Sequence, residues 1–404
     1  MRAEEEDAMF KAVADTQVVL DACKPVRRWQ RPFLRLALTL ALAFTGAVAL
    51  AQSVTVLTHS SFDLPAELID EFTATTGIEV DFLIGGDAGE VVNRAILTKA
   101  RPLADLLFGV DDNLLERARA EAIFEPYLSP ELERVAPELW LDVHGLVTPI
   151  DVGFVVPNFD VGWFAERGLE ALLGPTTESG ELLSLADLAT APYVGLSAII
   201  DPASSSPGLA FMLATIVRFG DPAAGIPASV TSEYGDWLEF WAALRDNDLT
   251  ITEGWTDAYY TQFSHYGGDR PIVLSYATSP AAEVIFAEVE LDQSPTANLQ
   301  CRGCAYRQVE GIGILAGTDE PAAARAFIDF LLSREVQEAI PLAMFVAPVV
   351  SDAAVPPEFG RYATLDDGVV AESLPAATVR ANQQRWLAQW TAVVRQGREP
   401  ANVR

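Results

Sequence analysis

From Val54 onward the chain is built on an alternation of short apolar runs and amphipathic stretches, and that rhythm constrains the fold more than any other feature. "SVTVLTH" reads as a strand, and "LPAELIDEFTATTG" follows with Leu68, Ile69 and Phe72 at helical spacing and Gly77 as a stop. "IEVDFLIG" is the next strand, then "DAGEVVNRAILTKA" a helix with Asp87 at its N-cap. "ADLLFGV" and "DDNLLERARAEAIF" repeat the pair, and "YVGLSAII" before "SSSPGLAFMLATIVRFG" and "RPIVLSYA" before "SPAAEVIFAE" repeat it again. Strands that alternate with helices predict a parallel α/β sheet covered on both faces. Near the end, "DEPAAARAFIDFLLSREVQEAIP" reads as a helical pair and "VRANQQRWLAQWTAVVRQ" as a last amphipathic helix.

The 404 residues allow two or three domains, and two α/β lobes are the economical reading. Twenty-seven basic side chains face 57 acidic ones, a formal net charge of -30. So acidic a chain is a poor partner for nucleic acid or an anionic membrane surface, while a cationic small ligand suits it.

Before the first strand, Arg27, Arg28, Arg31 and Arg35 precede an apolar run from Leu36 to Leu50, with small residues at Ala49 and Ala51. This is the layout of a secretory signal cleaved after Ala51, with an uncleaved membrane anchor as the rival. The acidic stretch 1–25 is foreign to such a leader, and Val26 offers an alternative start. The predicted product is therefore exported, with no stable insertion after cleavage. In that setting the pair Cys301 and Cys304, in "CRGC", is expected to form a small loop disulfide.

A set of motifs then points to one family. "SVTVLTHSSF", "NRAILTKARPLADLLFGVDDNLL", "TPIDVGFVV", "DPASSSPGLAF", "TEGWTDAYY", "VLSYATSPA" and "AIPLAMFVAPV" stand in the order and spacing of periplasmic thiamine-binding proteins, which they resemble from about residue 53 to 395. These are the substrate-binding components of thiamine ABC transporters, with the type II periplasmic-binding fold. The resemblance implies two α/β lobes, two crossover strands and a ligand cleft between the lobes. It puts the leader at 1–51, the first part of lobe 1 at 52–150, lobe 2 at 151–276, and the completion of lobe 1 with the C-terminal helices at 277–404. The crossings are expected near "TPIDVGF" and "LSYATSP".

Thiamine carries a permanent positive charge beside an aminopyrimidine, so its site needs aromatic faces, a carboxylate and few competing cations. The resemblance implies Asp87 and Ala88 as one contact pair, and Ser205 and Ser206 as a hydroxyl pair at a helix start that could seat a phosphate. It implies Trp255 as a stacking ring, the run Tyr276, Ala277, Thr278, Ser279 and Pro280 as a contact stretch, and Phe345 where relatives have tryptophan. His59 stands where a tyrosine is common, and Ala282 where relatives place another aromatic. No cofactor, metal or catalysis is implied. The expected partners are thiamine and the permease and ATPase subunits of a transporter, the expected state a monomer, and the expected location periplasmic or extracytoplasmic.

Two other readings stay open. A sibling protein for a polyamine or ferric ion is one, because Tyr259 and Tyr260 form the kind of adjacent pair that ferric-binding relatives use as ligands. An exported α/β enzyme is the other, although the chain has no G-x-S-x-G elbow, H-E-x-x-H or Walker motif.

Overall fold

A computed structural model describes residues 52–173, 182–229 and 234–404, so the predicted leader and its cleavage site lie outside the described residues. The main strands are β1 (Gln52–Thr58), β2 (Ile78–Ile84), β3 (Leu106–Asp111), β4 (Thr148–Asp160), β5 (Ser197–Ile200), β6 (Thr250–Thr252), β7 (Ile272–Tyr276), β8 (Thr296–Asn298) and β9 (Tyr306–Leu315). The helices that matter for the site and the cores are α1 (Ala66–Thr76), α2 (Ala88–Leu97), α3 (Ser206–Phe219), α4 (Trp237–Asp246), α5 (Ser279–Ile285), α6 (Pro321–Leu331), α7 (Arg334–Ala343) and α8 (Ala376–Trp390).

One sheet runs in the order β2-β1-β3-β9-β4-β7-β5-β6. Its two ends are parallel trios, β2-β1-β3 and β7-β5-β6, each made by the strand–helix alternation read in the sequence. Between them lie β9 and β4, antiparallel to each other and to the trio strands they meet. A parallel trio needs its crossovers on the sheet faces. Accordingly Val54, Val56 and Phe108 pack with α6 and α7 on one face, and Leu57, Leu107 and Val110 pack with Val91, Val92 and Ala95 of α2 on the other.

The first crossing falls on β4, as expected. The second does not fall at "LSYATSP": β7 pairs only with β4 and β5, whereas β9 pairs with β4 on one side and β3 on the other. Residues 277–305 also stay with the second lobe, since β8 pairs with the far end of β4 through Asn298↔Asn158. The C-terminal helix departs from the expected path as well. Trp390 of α8 meets Trp241 of α4 edge-on at 5.5 Å, and Trp386 Nε1 donates to Asp221 Oδ2 at 2.6 Å, so α8 packs on the second lobe, while Arg380 pairs with Glu116 at 2.8 Å and Gln383 donates to Asn113 O at 3.3 Å on the first. A helix's apolar stripe announces that it will be buried but not against which partner, and five fully buried Trp and Phe rings on α3 and α4 offered a large apolar surface.

Among the described residues no helix is long and apolar enough to cross a membrane. Cys301 and Cys304 are bonded and fully buried, rather than set in an exposed loop. Thiol counting on denatured, unreduced protein lacking residues 1–51 is expected to find no free thiol, and two would refute the bond.

Candidate functional site

The carboxyl ends of β1, β2, β5, β6 and β7 and the loop after α7 surround a cavity of about 240 Å³. This is where a doubly wound sheet gathers its loops. His59, Asp87, Ala88, Ser206, Trp255, Tyr276 and Phe345, all expected from the sequence, line it together. Glu310, which was not anticipated, lines it too, as does Tyr260, raised from the sequence only as half of a ferric-type tyrosine pair. No Lys or Arg is among the lining residues.

Each wall has a local cause. Asp87 caps α2: its Oδ1 accepts from the Ala88 amide at 2.7 Å, and Glu90 reaches back to the Asp87 amide at 3.1 Å. Its other oxygen accepts from the Trp255 amide at 3.3 Å, across the cleft. A little further along, a Cβ on Gly89 would lie 2.6 Å from the Ser204 carbonyl oxygen, so only glycine lets the start of α2 approach the loop before α3 this closely. Trp255 stacks on Tyr259 at 5.2 Å with an interplanar angle of 14°, and Tyr260 meets it edge-on. The Tyr276 ring lies on Gly153 of β4, where a Cβ would come within 2.9 Å.

The rest of the expected contact stretch does not reach the cavity. Ala277 is buried with its amide donated to Phe154 O, and Pro280 is buried in the first turn of α5. Ser279 Oγ pairs with Ser275 Oγ at 2.8 Å, and Ser275 Oγ accepts from Trp255 Nε1 at 2.8 Å. Thr278 donates its hydroxyl to Phe345 O. Phe345 has φ of +58°, a left-handed backbone that costs a non-glycine residue about 1–2 kcal/mol. These hydroxyls therefore hold the Trp255 and Phe345 walls from behind. Gln337 adds to that support, its amide donating to Ile150 O and Leu331 O and accepting from the Val349 and Val350 amides. Ser205 is buried, its hydroxyl oxygen has no hydrogen-bond partner, and it is not a lining residue.

The electrostatics are set by register. Glu310 of β9 sits opposite Asp111 of β3 on one side and Asp151 of β4 on the other, three carboxylates in a row across the sheet. Like charges directly opposite one another destabilise a sheet. Burial, and then Asp112 for Asp111 or Glu310 for Asp151, pushes both aspartates well above the ordinary carboxylate range. One oxygen of Asp151 has no hydrogen-bond partner. His59 meets the row at its cavity end, its Nε2 3.3 Å from Glu310 Oε2 and its Nδ1 accepting from the Ser61 amide. Burial pulls the His59 pKa down, but Glu310 and Asp87 pull it up further, and the net shift is upward. Asp87 is itself raised by burial, with His59 opposing.

Glu310 had a readable signal: a lone acid inside the apolar run "VEGIGIL". Its neighbours in the row could not be seen, because pairing register is not written in any one strand.

The comparisons with known proteins agree with this geometry. Residues 101–367 match the family model described as bacterial extracellular solute-binding protein. The chain belongs to that family. This solute-binding protein is 26% identical over 366 residues to a thiamine-binding periplasmic protein of Escherichia coli (strain K12), an alignment covering 89% of this chain and 99% of the relative. It is 28% identical over 359 residues to the protein of the same description from Salmonella typhimurium, covering 87% of this chain and 97% of that one. The solved structure of a periplasmic thiamin binding protein superposes with a TM-score of 0.69 at 25% identity, covering 85% of this chain and 96% of the other. Its architecture is that of the type II periplasmic-binding fold.

The carboxylate row makes stability depend on pH. Asp111 and Asp151 keep protons in the fold that the unfolded chain releases, so stability falls as pH rises from the ordinary carboxylate pKa through their raised values. Asp151→Asn is therefore expected to raise the melting temperature by about 2 °C or more at pH 8, with the gain shrinking toward pH 4. Calorimetry across that range checks it, and a gain independent of pH would contradict the assignment.

Proposed function

We propose that this solute-binding protein captures thiamine and delivers it to an ABC permease outside the cytoplasm. The observation that carries the reading is the lining of the cavity: four rings, Trp255, Tyr260, Tyr276 and Phe345, together with Asp87 and Glu310 and without a Lys or Arg. A thiazolium cation is stabilised by ring faces at about 0.5–2 kcal/mol each, and by carboxylates held away from water. The names carried by its relatives agree with that chemistry.

Binding and release, rather than catalysis, is the role proposed. The protein works as a monomer without a cofactor, with the permease and its ATPase as partners. Free thiamine suits the cavity better than its phosphates, whose charge would enter beside Asp87 and Glu310; Ser206 at the start of α3 is the place such a phosphate would take.

A ferric ligand fits less well. Among the described residues no three His, Cys, Asp or Glu side chains are grouped closely enough to hold a metal. The tyrosine pair is also divided in use: Tyr259 donates its hydroxyl to Glu283 at 2.8 Å and is buried, while Tyr260 is exposed.

Isothermal titration of protein lacking residues 1–51 is expected to give tight one-to-one thiamine binding. No heat with thiamine, but strong binding of spermidine or ferric citrate, would sink the reading. Trp255→Ala is expected to weaken thiamine binding by about tenfold or more, equivalent to about 1.4 kcal/mol. An unchanged Kd would remove that ring from the site.

A further inference from the structure

Gln308 lies on β9 two residues before Glu310, on the same face of the strand. It is buried and does not line the cavity, yet its amide joins two side chains that do. Nε2 donates to Ser206 Oγ at 2.9 Å, and Oε1 accepts from the Tyr276 hydroxyl at 3.2 Å. An amide has one donating and one accepting end, so the two hydroxyls cannot be used alike. Ser206 accepts a hydrogen bond from Gln308 and keeps its own O–H free to donate. Tyr276 spends its O–H on Gln308 and has only lone pairs left for a ligand.

The acid–base character of the two groups selects the same orientation. A phenol is the stronger donor, and its oxygen, conjugated with the ring, is the weaker acceptor; an aliphatic hydroxyl is the reverse. Burial, and then the charges of Glu310, Asp87, Asp151 and Asp111, hold the proton on the Tyr276 phenol, so it has a hydrogen to donate.

We infer that Gln308 is a positioning residue that fixes the hydrogen-bond polarity of the cavity, so that Ser206 meets an acceptor on the ligand and Tyr276 meets an N–H donor. The class selected is an amino-substituted heteroaromatic, whose exocyclic N–H lies beside a ring nitrogen with a free lone pair. This deepens the thiamine reading and rests on it, because the aminopyrimidine of thiamine carries that pair.

Oxythiamine, in which a carbonyl replaces the pyrimidine amine and a ring nitrogen gains a proton, inverts the pattern and is otherwise nearly the same shape. Titration of the wild-type protein with both compounds is expected to favour thiamine by about tenfold or more. Gln308→Met frees both hydroxyls to turn, and the preference is expected to collapse to about threefold or less while the protein still binds thiamine. Gln308→Leu likewise removes both amide partners, and the same collapse of the preference is expected. These variants are compared at matched circular dichroism, and the ratio of the two Kd values is the readout, because a merely structural role would weaken both compounds together.

A wild type that binds thiamine but takes oxythiamine equally well overturns the inference even if neither variant folds. Folded variants that keep the wild-type ratio overturn it too. A wild type that binds neither compound removes the thiamine reading, and the inference with it.

Discussion

The antiparallel pairing of β4 with β9 is the interaction on which the rest of the structure depends. Two parallel trios pointing in opposite senses meet through these two strands, each antiparallel to the other and to the trio strand beside it. The same backbone hydrogen bonds bring the loops of both trios to one cleft. They also put Asp111, Glu310 and Asp151 side by side, a register that no local preference would choose. Shifting the pairing by one residue would separate the carboxylates but would turn the apolar side chains of β9 out of both cores. The fold thus tolerates an unfavourable row of which one member, Glu310, reaches the cavity, a pattern expected where function and stability pull apart.

Behind the cavity, small polar side chains act as braces. Ser275 and Ser279 hold the indole of Trp255, Thr278 holds the backbone of Phe345 in its left-handed turn, and Gln337 ties the loop beyond it to β4. Each brace is a hydrogen bond from a residue in a strand or near the start of a helix. Such support adds to the packing of the rings, and it spares the ordering cost that a loosely held wall would exact on binding.

Much of this was legible in the sequence. Strand–helix alternation named the fold class, Asp87 named the start of a capped helix, and the motif around Trp255 named a ring of the site. What could not be read were the relations between distant segments. The amphipathic pattern of α8 gave no sign that it would bridge the lobes, meeting Trp241 on the second and Glu116 on the first. Hydroxyls at 278 and 279 looked free to meet a ligand because their partners, Phe345 and Ser275, are fixed only by the tertiary fold. Gln308 carried no local signal at all, since its meaning lies in what each end of one amide touches.

The placement of α8 has a practical consequence. Arg404, at the end of the chain, is held to the second lobe through Asp236 at 2.7 Å and Glu239 at 2.8 Å. Leu97, at the far end of α2, is 85% exposed on the first lobe. A donor dye attached just beyond Arg404 and an acceptor on a cysteine replacing Leu97 would therefore ride on different lobes, neither of them near the cavity. The chain carries, in its own terminus, the second arm of an optical gauge for the opening of its cleft.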